Sequence, residues 1–142
     1  MKKQTFLMLL AMMLLAACGV KKNIDITPEQ LEGRWVLQTV EGVKLPATDT
    51  DEKPSMTYTM TDNRFACFVG CNRMGGSLHF ENGALSLSNI YSTKMLCHNE
   101  EAMKLETRLG TLLDQVSSVS MNGNTLVLTS ADGKELLTMV RE

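Results

Sequence analysis

The sequence predicts a mainly β domain of the α+β class: a small antiparallel sheet, curled or closed into a barrel, with one amphipathic helix. Three observations predict it. Apolar and polar residues alternate through many short runs, as half-buried strands require. Asn, Asp and Gly clusters separate those runs at hairpin spacing. The apolar period changes to that of a helix only once, between Asn99 and Val116. Eight or so short strands plus one helix make a sheet that curls on itself, with the helix over one opening.

Taken in order, Thr27 followed by Pro28 is a good N-cap with proline in the first turn, so a short helical turn runs to Leu31 and ends at Gly33. Arg34 to Val40 reads as a strand with Trp35 and Leu37 on one face, and Glu41 to Pro54 as a long loop. Met56, Tyr58 and Met60 alternate with threonines. After a turn at Thr61-Asp62-Asn63, Phe65, Cys67, Val69 and Cys71 share a face of the next strand. Asn72 to Gly76 reads as a turn-rich break. Leu78 with Phe80 and Leu85 with Leu87 form two short strands around Glu81-Asn82-Gly83. Ala102, Leu105, Leu109, Leu112 and Val116 then line one helical face, capped by Asn99, with Glu100 and Glu101 at its positive end. Strands return at Val116–Met121, Leu126–Leu128 and Leu137–Met139, parted by Asn122-Gly123-Asn124 and Ala131-Asp132-Gly133.

The first residues are of a different kind. Lys2 and Lys3 precede an unbroken apolar run from Phe6 to Ala17, which as a helix would span about 18 Å, short of a ~30 Å hydrocarbon core. Residues 1–17 therefore read as a signal peptide. The run ends Leu15-Ala16-Ala17-Cys18-Gly19, similar to a bacterial lipobox, so Cys18 is the expected site of acylation and the mature N-terminus. Residues 18–27 are the expected tether and 28–142 the domain. The expected address is the bacterial cell envelope, with Gly19 rather than an aspartate after the cysteine leaning to the outer membrane. Removing residues 1–17 takes away two lysines and no acid, so the charge of −2 becomes −4. Such a balance offers nothing to a phosphate backbone, and nucleic acid is not an expected partner.

Chemistry-bearing residues are few. With Cys18 assigned to lipid, Cys67, Cys71 and Cys97 remain, beside His98. Three thiolates and a histidine are a zinc-type ligand set. A strand running through 64–71 would hold Cys67 and Cys71 roughly 13 Å apart, too far to share a metal. An oxidising compartment instead favours a disulfide from Cys97 to Cys71 or Cys67, with one thiol left over. The alternative is a thiol- or metal-dependent activity using Cys67, Cys71, Cys97 and His98; a purely structural envelope component is the other. No catalytic constellation stands out. His79 reads as an exposed residue on a strand, and His98 as part of a helix start. Ser117, Ser118 and Ser120 lack a nucleophile-elbow pattern, and Glu106 reads as solvated helix face. No enzyme, cofactor or metal is expected.

Gly70-Cys71-Asn72-Arg73, then Gly76, then Thr93-Lys94-Met95-Leu96-Cys97, Met103 and Glu106, in that order, resemble the signature of the META domain, the HslJ-like lipoprotein family. Trp35-Val36-Leu37 and Leu126-Val127-Leu128 fit its opening and closing strands, so the resemblance covers about residues 28–140. It implies an antiparallel barrel, lipocalin-like in outline, with one helix. It also implies a structural pairing of Cys71 with Cys97, with Asn72, Arg73 and Thr93 beside that link. Cys67, where relatives often carry glycine, supplies a second candidate partner for Cys97. Family members are linked with heat-shock induction and antibiotic tolerance, without a catalytic mechanism. The expected role is a non-catalytic binding or envelope-stress-protection module, held to the membrane by its lipid and meeting a protein or small-molecule ligand of undefined identity.

Overall fold

A computed structural model describes residues 26–47 and 51–142. Residues 1–25, with the expected signal peptide and Cys18, lie outside it. The elements are α1 (Pro28–Leu31), β1 (Gly33–Val40), β2 (Ser55–Thr59), β3 (Arg64–Phe68), β4 (Arg73–Glu81), β5 (Ala84–Ser92), α2 (Glu100–Leu112), a 3₁₀ turn (Leu113–Gln115), β6 (Val116–Asn122), β7 (Thr125–Ser130) and β8 (Glu135–Arg141). All neighbouring strands are antiparallel. They pair in chain order and close through β8 on β1, with Trp35 opposite Arg141 and Val40 opposite Leu137. The predicted barrel class holds.

The interior is one continuous apolar core. Trp35, Met56, Tyr58, Phe65, Leu85, Leu126, Leu128, Leu137 and Met139 come from the strands, and Leu105, Leu109 and Leu112 from α2. Helix α2 connects β5 to β6, at the end where the chain also turns from β1 to β2 and from β3 to β4. Its 3,4-spaced apolar face turns inward, as the period requires, and closes that end. At the opposite end α1 inserts fully buried Leu31. Its cap is reciprocal: Gln30 N–H donates to Thr27 Oγ1, and Thr27 N–H to Gln30 Oε1. Ile26, just ahead of the expected boundary at 28, is buried in the core.

Three details differ from the sequence reading. Strand β3 stops at Phe68, so Cys71 is not on its face. The supposed break at 72–76 is mostly strand, because β4 begins at Arg73 and runs through both glycines. Those glycines are there for want of a Cβ: one on Gly76 would lie 2.5 Å from the Ser88 carbonyl oxygen and 2.8 Å from the Phe65 ring, and one on Gly75 would lie 2.7 Å from Tyr91 Oη. The helix ends at Leu112, and Val116 opens β6. The β4–β5 hairpin follows the turn chemistry read at Asn82-Gly83, with φ of 49° and 81° at the two positions. The barrel is least complete between β5 and β6, which share a single register pair, Ala84 with Ser118.

Candidate functional site

The residues of the quoted signature meet at the α2 end. Just past β3 the chain bends through Val69–Cys71, and Val69 N–H donates to the Asn72 carbonyl. Cys71 is bonded to Cys97, their Cα atoms 6.1 Å apart, which pins the segment 93–98 to the β3–β4 corner. Asn72 is only 5% exposed. Its Oδ1 accepts from Thr93 Oγ1 and from Met95 N–H, each at 2.9 Å, and its Nδ2 donates to Glu106 Oε2 at 2.8 Å. The other Glu106 oxygen accepts from Ser92 Oγ at 2.5 Å. Thr93 closes the circuit: its hydroxyl accepts from Arg73 N–H at 3.0 Å and its own N–H donates to Arg73 O at 2.9 Å. One amide side chain thus ties β4, the strap after β5, and α2 together with both of its polar atoms engaged.

Neighbouring contacts extend this frame. Arg73 lies over the Phe68 ring at 4.9 Å and reaches Glu52 at 3.0 Å. Asn99 caps α2 by accepting from Ala102 N–H at 3.0 Å and donates to Ala47 O at 3.0 Å. Arg108 pairs with Glu41, which also meets Lys134 at 2.8 Å. The frame presents apolar side chains to solvent: Leu96 is 86% exposed, Met95 60%, Tyr91 54% and Met103 51%.

The remaining sequence-singled residues lie elsewhere. Cys67 is a buried thiol in the barrel, opposite Met56, and burial pushes its pKa up to about 12. It is therefore protonated and unreactive at neutral pH. The nearby Tyr58 hydroxyl, also raised by burial and then by Cys67, finds no partner among the described residues. His79 is exposed on β4 with Glu81 at 3.9 Å, and His98 is exposed beside the disulfide. Ser117 and Ser120 are exposed on β6, while Ser118 shares a hydrogen bond with Thr129 at 2.5 Å. Among the described residues no three His, Cys, Asp or Glu side chains converge as metal ligands. Glu106 departs from the expectation of a solvated face, because it flanks the buried Ala102 and Leu109 positions and Asn72 draws it inward. Ser92 and Glu52 were not legible as site residues. Alternation from Leu85 and Leu87 would put Ser92 on the outer side; the irregularity at Asn89, with φ of 51°, shifts the phase and brings it inward.

An eight-stranded antiparallel barrel with a helix tied to one rim by an Asn–Thr–Glu network and a disulfide defines the class. The chain belongs to the META domain family, whose model matches residues 28–142. It is 30% identical over 127 residues to the heat shock protein HslJ of Escherichia coli (strain K12), covering 89% of this chain and 86% of the relative. A protein solved by NMR is 28% identical with a TM-score of 0.63, covering 81% of this chain and 94% of its own. A second NMR structure, from Burkholderia xenovorans, shares the fold at 22% identity with a TM-score of 0.63, over 80% of this chain and 85% of its own.

Proposed function

We propose that this META domain protein is a lipid-anchored protein of the bacterial envelope that works without catalysis, as a binding module under envelope stress. Acylation at Cys18 holds it to a membrane, the outer one by the Gly19 criterion. The observation that carries the binding role is the α2 end. There a disulfide and a fully engaged Asn72 hold exposed Met95, Leu96 and Met103 in fixed positions, where an unliganded surface would gain by burying them. Kinship with a heat shock protein supports the stress setting. The buried Cys67 thiol, held protonated, supports a role other than thiol chemistry. The barrel interior is filled by side chains, so ligands meet the rim and not a lipocalin-like cavity.

Two measurements test this reading. Mass spectrometry of the protein from its membrane is expected to find acyl groups on Cys18. A photo-crosslinking residue at Leu96, in cells under heat stress, is expected to give discrete adducts that the same residue at His79, on the barrel wall, does not. Unmodified Cys18, or equal labelling from both positions, would count against it.

A further inference from the structure

We propose that the rim binds an extended, aliphatic polypeptide segment in the groove between the β5 edge and the outward flank of α2. This deepens the binding reading above by naming its ligand class.

Two contiguous hollows of about 390 and 360 Å³ share Lys94, Glu106 and Thr107, and so form one trough. Met95, Leu96 and Met103 line one end of it, and Ile90, Tyr91 and Asp114 the other. From Met103 to Asp114 the trough follows the helix for roughly 17 Å at the helical rise, which matches about five residues of extended chain. That length suits a single extended strand.

The chemistry of the walls selects polypeptide over an acyl chain. Strand β5 shares only the Ala84–Ser118 register pair with β6; beyond it the 3₁₀ turn packs against β5, and only its last residues, Ile90 to Ser92, border the trough without a strand partner on that side. Thr93 N–H is directed to β4, where it meets Arg73 O. Strand alternation therefore turns the backbone groups of Ser92 and Ile90 toward the trough. An unpaired edge is satisfied by the N–H and C=O groups of another extended chain, the geometry of strand addition. In mid-trough the exposed Lys94 Nζ lies 4.0 Å from Glu106 Oε1, which Ser92 already engages, so the ammonium is the group free to turn to a ligand carbonyl. At one end the thioethers of Met95 and Met103 supply an adaptable apolar surface for differing aliphatic side chains.

Placement agrees. The chain enters the barrel at the α1 end, and the trough lies at the other. A lipid on Cys18 would join the chain on the side of the α1 end, not the trough end.

The test uses the full chain in lipid nanodiscs and a short labelled peptide of alternating valine and threonine. Its counterpart is the same peptide N-methylated on alternate residues along one edge. Saturable binding of the first is expected, weakened about tenfold or more by N-methylation. Binding is also expected to weaken about tenfold in Met103→Glu, an exposed helix position whose replacement leaves the core untouched. Equal affinity for both peptides, or no binding of the unmodified one, overturns the inference. If adducts at Leu96 persist in cells while the peptide fails to bind, the ligand class alone is wrong and the rim remains a binding surface.

Discussion

The two ends of the barrel are closed by different means. At the α1 end the groups are mostly main-chain carbonyls meeting long side chains. Trp35 Nε1–H donates to Leu31 O at 2.9 Å, and Arg141 donates to Glu32 O and Gln30 O while stacking on the Trp35 ring at 4.3 Å. The Glu32 carboxylate accepts from Met60 N–H at 2.6 Å. At the α2 end a covalent link and one asparagine do comparable work, and apolar side chains are left in water. The first end is built to be shut. The second is held rigid with apolar side chains left in water, and this difference is what the proposed binding role rests on.

Substitutions sharpen that contrast, beginning with the most damaging. Trp35→Ala removes the largest side chain of the core and the support for α1, and is expected to cost about 3–5 kcal/mol in urea unfolding. Replacing Cys71 and Cys97 together by serine opens a loop whose ends are 26 positions apart and is expected to cost about 3 kcal/mol. Amide exchange is expected to rise in residues 93–98 more than in β7. Asn72→Ala leaves a partly buried Glu106 oxygen and Met95 N–H without partners, for about 2 kcal/mol with the disulfide intact. If it instead proves neutral, the strap is held by the disulfide alone. Leu96→Ser is expected to change stability by less than about 0.5 kcal/mol while reducing adduct formation at the rim.

The leftover thiol offers a control within the wall between the two ends. Native Cys67 is expected to resist thiol reagents at pH 8 and to react once the chain is unfolded. Its pKa is raised in the folded state, so folding favours the protonated form. The contribution is intact below the unfolded thiol's pKa and lost as pH rises through and above that value. Cys67→Ala is expected to flatten that part of an alkaline stability profile.

Much of the barrel was readable from alternation. Met56 and Tyr58, Phe65 and Cys67, and Leu126 and Leu128 all face inward as their spacing requires, as do the helical positions at 102, 105, 109 and 112. The start of β4 was not readable. Gly75 and Gly76 present no side chain to alternate, and their reason for being in a strand is the bulk of Phe65 and Tyr91 opposite, which only the register brings near. Glu106 was hidden for a related reason. A carboxylate beside an apolar stripe looks solvated until a donor 34 positions away is folded against it. The residues of the ordered Gly-Cys-Asn and Thr-x-Met-x-Cys signature do meet at the α2 end, although local pattern alone gave no cause for it.

The single register pair between β5 and β6 also has a kinetic consequence. It divides the ladder into a meander of β1–β5 and a meander of β6–β8, each made of pairings between successive strands. The two join elsewhere only through β1 and β8, where Trp35 meets a residue 106 positions away. Each half gains its contacts over short chain separations, and the costly loop closure is deferred to one step. The seam is thus a parting line, along which the amides of β5 should exchange sooner than those of β7 when the native barrel opens.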